Sequence, residues 1–279
     1  MTRRLTAFLP LLSAALVLTV ANPGAGAELQ PETLGAWETY IRLTEKRIAT
    51  ELEDRGRFLA MDFEGDGRGQ ALLRGGNTHV QRLRTRGEGG VEIEAEDGMI
   101  HHWLGAVFVP GVRLDTLIRW VQDYDRHQDY FQEVEKSRLI ARRGDTFEIY
   151  LRLRRKKIIT VVYNTYHTAL YRPHDARRIS SRSYTTKIAE LDDPDTPQEQ
   201  EKPVGNDRGF LWRLNSYWRF QEADGGVYVE CESVSLSRSI PFGLGWLIRG
   251  YVESVPRESL QNTLTSLRDG VRKQQLAGK

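Results

Sequence analysis

The run Gly226-Val227-Tyr228-Val229-Glu230-Cys231-Glu232-Ser233-Val234-Ser235-Leu236 decides the fold. Rich in β-branched residues and free of proline, it reads as one extended strand. A glycine-punctuated turn follows, Ser239-Ile240-Pro241-Phe242-Gly243-Leu244-Gly245. Then comes a helix entered at Pro256, with Leu260, Leu264, Leu267 and Val271 along one side. A last strand joined to a long closing helix is the C-terminus expected of a sheet that grips a helix. That helix is expected to cover the mouth or one wall of an apolar pocket. Upstream, Trp246, Leu247, Ile248 and Tyr251 form a second apolar cluster. With Ser254 as N-cap and Pro256 in a first turn, where proline is tolerated, the closing segment reads as two pieces. The expected break lies near Ser254 to Pro256, and residues 241–245 are the expected gate.

Working back from the strand, Asp224-Gly225-Gly226 predicts a hairpin into it. Phe210, Trp212, Leu214, Trp218 and Phe220 alternate with mainly polar neighbours. Phe147, Ile149, Leu151 and Leu153 alternate likewise with Glu148, Tyr150, Arg152 and Arg154, the pattern of a half-buried strand. Residues Ile158 to Leu170 and Arg178 to Glu190 add further strands. Met99 to Val109 is a long, mostly apolar strand containing His101, His102 and Trp103, and Pro110-Gly111 breaks it. Leu114, Leu117, Ile118 and Val121 fall at i, i+3, i+4 and i+7, so a helix with one buried face comes next. A second short helix passes through Tyr130 and Phe131. No helix long enough for a crossover separates the later strands, so their pairing is antiparallel. Residues 191–209, with three prolines among many acids, read as a loop, and as a solvated hairpin extension in preference to a lid.

The chain begins differently. Arg3 and Arg4 precede an apolar stretch from Leu5 to Ala21, and Ala25-Gly26-Ala27 offers a small-x-small cleavage pattern. Residues 1–27 therefore read as a signal peptide, placing the protein in the periplasm or outside the cell after cleavage near Ala27. An uncleaved anchor is the alternative. Removing that segment takes away two arginines and no acids, which leaves 38 basic and 38 acidic residues. This neutrality argues against a nucleic-acid partner. Cys231 is the single cysteine, so no intrachain disulfide can form. Residues 28–97 read as an N-terminal extension, an amphipathic helix over 31–55 followed by short glycine-rich hairpins.

The order of strand, two short helices, several antiparallel strands and a long C-terminal helix resembles the START-like superfamily, also called SRPBCC. The residues that carry the resemblance are Ile100 to Phe108, Leu114 to Asp123, Asn215 to Phe220, Val227 to Leu236 and Pro256 to Leu260. It covers about two thirds of the chain, over 98–275, and is similar to exported bacterial START-like proteins. The resemblance implies an α+β helix-grip fold, an antiparallel sheet curled around the C-terminal helix and enclosing a cavity for a lipid or other apolar molecule. It supplies no diagnostic catalytic motif and implies no cofactor.

Residue chemistry points the same way. Trp103, Phe108, Phe147, Ile149, Leu151, Trp212, Trp218, Phe220, Trp246, Leu260 and Leu264 are the expected pocket residues. Adjacent His101 and His102 point to opposite faces of a strand, and no zinc-binding spacing occurs, so no metal is expected. The basic run Arg152 to Lys157 reads as the wet face of a strand entering a turn, with lipid-headgroup binding as its alternative. The function expected is non-catalytic binding of a hydrophobic small molecule or lipid by a monomer, with peripheral membrane contact left open. Two alternatives stand: a cyclase- or hydrolase-like enzyme using Asp123, Asp125 or His127, and an envelope interaction module that docks a partner through its N-terminal helix.

Overall fold

Period-two alternation turns most of the chain into antiparallel strands, and a few 3.6-period segments close over them. The computed structural model describes residues 27–63, 68–156, 159–239 and 245–277. In chain order these form β1 (Ala27–Glu28), α1 (Pro31–Leu52), α2 (Arg68–Arg74), β2 (His79–Arg82), β3 (Gly98–Pro110), α3 (Leu114–Val121), α4 (His127–Tyr130) and β4 (Val134–Arg143). There follow β5 (Thr146–Lys156), β6 (Thr160–Asp175), β7 (Arg178–Asp192), β8 (Gln200–Glu201), β9 (Asn206–Asp207), β10 (Arg213–Ala223), β11 (Gly226–Arg238) and α5 (Gly245–Ala277). The expected signal segment lies outside the described residues except for Ala27, and the expected gate does so except for Gly245. No described helix is long and apolar enough to cross a membrane.

The main sheet runs β2-β3-β11-β10-β7-β6-β5-β4, with β8 added to β7, and every pairing is antiparallel. The α+β helix-grip expectation holds: the sheet curls around α5. Leu260, Leu264, Leu267 and Val271 pack into one core with Val107 and Val109 of β3, Phe147 and Ile149 of β5, and the buried face of α3. The predicted hairpin is present, with Asp224 and Gly225 at φ 52° and 75°, the left-handed pair a two-residue turn requires.

Three expectations need correction. The closing helix is one element, continuous through Pro256, with no break at Ser254. A proline inside a helix removes one backbone bond; here the leucine face downstream seats the helix in the sheet. Residues 57–97 do not form a series of hairpins. They hold two single-turn 3-10 segments, α2, the strand β2 on the edge of β3, and one isolated bridge between Arg86 and Glu92. Finally, β4 has no counterpart among the expected strands. It is an edge strand with no fully buried residue, so its side-chain pattern carries little hydrophobic signal.

The extension folds against the outer face of the sheet. Trp37, Tyr40 and Ile48 of α1 are buried with Tyr217, Val234 and Leu236. The apolar face offered for docking a partner is thus already covered by the chain's own sheet.

Candidate functional site

The inner face of the sheet, α5 and the α3–α4 segment surround a cavity of about 410 Å³. Its apolar wall comes from the alternation on β5, which sends Ile149, Leu151 and Leu153 inward, and from Trp218 on β10. Leu260 and Leu267 of α5 face them. This is a helix-grip cavity.

Its polar groups are neutral or already engaged. His101 lies with Nε2 3.0 Å from Ser237 Oγ, and His167 with Nε2 2.9 Å from Thr165 Oγ1. His127 donates from Nε2 to the Val121 carbonyl at 2.9 Å. Burial pulls all three down to about 4, so they are uncharged at neutral pH. The hydroxyls of Tyr124 and Tyr171 meet at 2.7 Å, and burial raises Tyr171 to about 12. Burial also pushes the Cys231 thiol up, which rules out a ready thiolate. One end of the lining is charged. There Arg155 pairs with Glu133 and, at 3.0 Å, with Glu258 of α5, while Ser259 donates to Glu133 at 2.8 Å.

No protein-family model and no curated protein matches the chain. Among solved structures it is similar to a STAR-related lipid transfer protein from Xanthomonas axonopodis, at 17% identity over 69% of this chain and 98% of that one, with a TM-score of 0.46. It is also similar to the Zhui aromatase/cyclase from Streptomyces sp. R1128, at 12% identity over 63% and 95% of the two chains, TM-score 0.44. Human STARD10 gives 11% identity over 77% and 83%, TM-score 0.42. Likenesses this loose carry no function across.

Four expected pocket residues line the cavity: Ile149, Leu151, Trp218 and Leu260. Phe147, Phe220 and Leu264 are buried in the adjoining core, and Trp103 packs against that core partly exposed. Phe108 does not face inward. It is separated from Trp103 by five positions on an unbroken strand, which sends the two to opposite faces. Its ring lies 4.7 Å from Tyr228 in an outer cluster with Phe58 and Leu59. Trp212 precedes the first residue of β10 and leaves the alternation there. It is buried near α1, with Nε1 donating to Asp207 Oδ1 at 3.1 Å. The side chain of Trp246 lies outside the described residues.

The acid–base trio is not assembled. Asp123 and Asp125 are exposed and do not line the cavity, and an oxygen of Asp125 accepts from the Leu139 amide at 2.8 Å. Only His127 of the three faces the cavity, and its ring is tied to a carbonyl. Among the described residues no three His, Cys, Asp or Glu side chains converge to hold a metal.

Arg152 also departs from expectation. Only 3% exposed, it is gripped on the outer face by Glu135, Asp195 and Glu199 at 2.8–3.0 Å. The 191–209 loop therefore folds over the back of β5 and is anchored there. Phe210, Leu211 and Leu214, just beyond the loop, pack with Val161, Tyr163 and Ile188.

Beneath α1 lies a second polar cluster. Tyr40 Oη meets His102 Nδ1 at 2.8 Å, and His102 Nε2 meets Glu232 Oε1 at 2.7 Å. Arg47 reaches both Glu232 and Glu51, and Arg219 ties Glu51 to the Phe58 carbonyl. Glu230 accepts the amides of Ala60 and Met61. Burial alone would raise Glu232, yet the bond to His102 and the Arg47 charge hold it below its ordinary value. With His102 and Glu232 each 2% exposed and outside the cavity lining, this array clamps the extension to the sheet.

Sequence reasoning missed the polar part of the cavity. Ser181, Ser183, Ser216, Ser233 and Ser235 all line it. Part of their signal was present as alternate serines, at 181 and 183 and at 233 and 235, but only strand register brings these together with Ser216.

Proposed function

We propose that this domain binds an apolar small molecule or lipid and holds it without transforming it, as an exported carrier acting in the periplasm or outside the cell. The observation that carries this reading is the cavity of about 410 Å³ between sheet and helix, apolar along β5, Trp218 and α5. Binding draws on withdrawal of apolar ligand surface from water, worth about 2.5 kcal/mol for each ~100 Å² buried. Burial weakens the three lining histidines as bases, His127 is tied to a backbone carbonyl, the thiol is held protonated and Arg155 is ion-paired. That favours retention over turnover.

The test is native mass spectrometry of gently purified protein, together with titration by the neutral dye N-phenyl-1-naphthylamine. A bound apolar species and saturable dye binding are expected. Ser216→Phe, which projects a ring into the cavity, should weaken the dye at least about tenfold with the fold intact. Dye binding unchanged by that substitution, with no co-purified species, would sink the proposal. N-terminal sequencing of protein recovered outside the cytoplasm tests export, with Glu28 as the expected first residue.

A further inference from the structure

The cavity has two unlike faces, and the polar one is built from the middle of the sheet. Ser183 of β7 stands opposite Ser216 of β10, which stands opposite Ser233 of β11. Strand spacing of about 4.8 Å makes this a row of hydroxyl-bearing residues roughly 10 Å long. Ser235 extends it on β11, opposite Leu214 on one side and His101 on the other. Serine is a poor strand former, and in a packed core such positions favour branched or aromatic residues.

Some hydroxyls near the row are engaged within the protein. Ser237 bonds His101, while Ser181 and Ser216 lie beside the Tyr171 hydroxyl and the Cys231 thiol. The hydroxyls of Ser183, Ser233 and Ser235 make no hydrogen bond to any described residue; Ser235 is buried, and Ser183 and Ser233 are partly exposed along the cavity. A hydroxyl cut off from water without a partner is unfavourable, so a ligand that fills the cavity over these three must bring acceptors or donors to them. On the facing wall Val121, Phe131, Leu260 and Leu267 are apolar, and the polar side chains of α5 that reach the cavity, Ser259, Asn262 and Thr263, are bonded within the protein.

Charge is matched without a ligand. Arg155 is balanced by Glu133 and Glu258, and Arg154 by Glu135 and Asp195. Arg238 stands over the Phe210 ring and has a further partner. Arg155 Nε has no hydrogen-bond partner among the described residues, but a carboxylate or phosphate brought to it would meet the negative charges of Glu133 and Glu258.

Resting on the cavity-binding reading above, we infer that the ligand is an uncharged facial amphiphile. It is a flat or extended molecule, apolar on the side toward α5, with two or more hydroxyl or carbonyl oxygens along the edge toward Ser183, Ser233 and Ser235.

The experiment uses the full chain and displacement of N-phenyl-1-naphthylamine by three probes at pH 8. These are methyl cholate, with three hydroxyls on one face, methyl cholanate, with none, and monomeric sodium cholate, which adds a carboxylate. Methyl cholate is expected to bind at least about tenfold tighter than methyl cholanate, from which two or three hydrogen bonds separate it, and at least about tenfold tighter than cholate, whose charge finds no match. A merely greasy cavity would rank methyl cholanate first. The triple variant Ser183→Ala/Ser233→Ala/Ser235→Ala should weaken methyl cholate by about tenfold and leave methyl cholanate within about twofold. Circular dichroism and dye affinity report whether that variant remains folded. Equal binding of the two esters, equal binding of cholate, or equal loss of both esters in the variant overturns the inference. If the dye binds and neither ester displaces it, this inference fails alone. If the dye does not bind, the cavity-binding reading fails with it.

Discussion

Gly105 on β3 lies so close beneath Leu264 of α5 that a β-carbon there would stand 2.5 Å from the leucine Cδ1 and 2.9 Å from Leu260 Cγ. The gripped helix seats on this bare stretch of backbone. Gly105→Ala is therefore expected to destabilise the domain by about 1–3 kcal/mol through overpacking, read as a lower urea midpoint at unchanged m-value. Combining it with Leu264→Ala should cost less than the two single changes together, because the truncated leucine makes room. Strictly additive losses would count against this contact.

The His102–Glu232 contact at 2.7 Å holds the outer layer together. Removing His102 takes one hydrogen bond from a buried carboxylate that keeps its contact with Arg47, at a cost of about 1.5–3 kcal/mol. His102→Ala is expected to lose stability in that range, and amide exchange over residues 31–52 should rise before that of β10 and β11. Unchanged protection of α1 would show that the helix is held by its apolar face alone.

Acid should weaken the protein. Burial pulls His101, His127 and His167 down to about 4 from an ordinary 6.5, so between those values the unfolded chain binds protons the native chain does not. Stability fully present above pH 6.5 is then lost as pH falls toward 4, by up to about 1.4 kcal/mol per histidine per pH unit. Glu230 opposes this. Raised by burial to about 7 from 4.5, it favours the native state at low pH, and that contribution is lost as pH rises through about 7. Three histidines against one carboxyl predict a falling Tm from pH 6.5 to 4.5. A Tm flat or rising across that window would contradict the assignment.

Arg152 anchors the 191–209 loop to the back of the sheet, away from the cavity. Arg152→Met should speed proteolysis between residues 193 and 201 and leave dye affinity within about twofold. A large change in ligand on-rate would instead mean that the loop gates the cavity after all.

Much of this fold was legible in the chain because its elements are local and strongly patterned. The leucine stripe of α5, the i, i+3, i+4, i+7 set of α3 and the Asp224-Gly225 turn each depend on residues within a few positions. The edge strand β4 was not legible, since it buries little. The continuity of α5 through Pro256 was hidden for another reason: proline's local penalty pointed to a break, whereas packing of Leu260, Leu264 and Leu267 downstream favours one helix.

The sequence by itself determined most of the long strands, which segment is the closing helix, and that an apolar face on each must be covered. Period and turn chemistry act within one segment, so they suffice for that. The tertiary structure alone decided that Trp103 and Phe108 face opposite ways, that Arg152 is buried under its own loop, and that α1 covers the outer face. It also aligned Ser183, Ser216 and Ser233 into one row. Sheet order and strand register arise from contacts between residues far apart in the chain, where no local period reaches. The shape of the cavity is written in the strands one at a time, and its chemistry appears only when they pair.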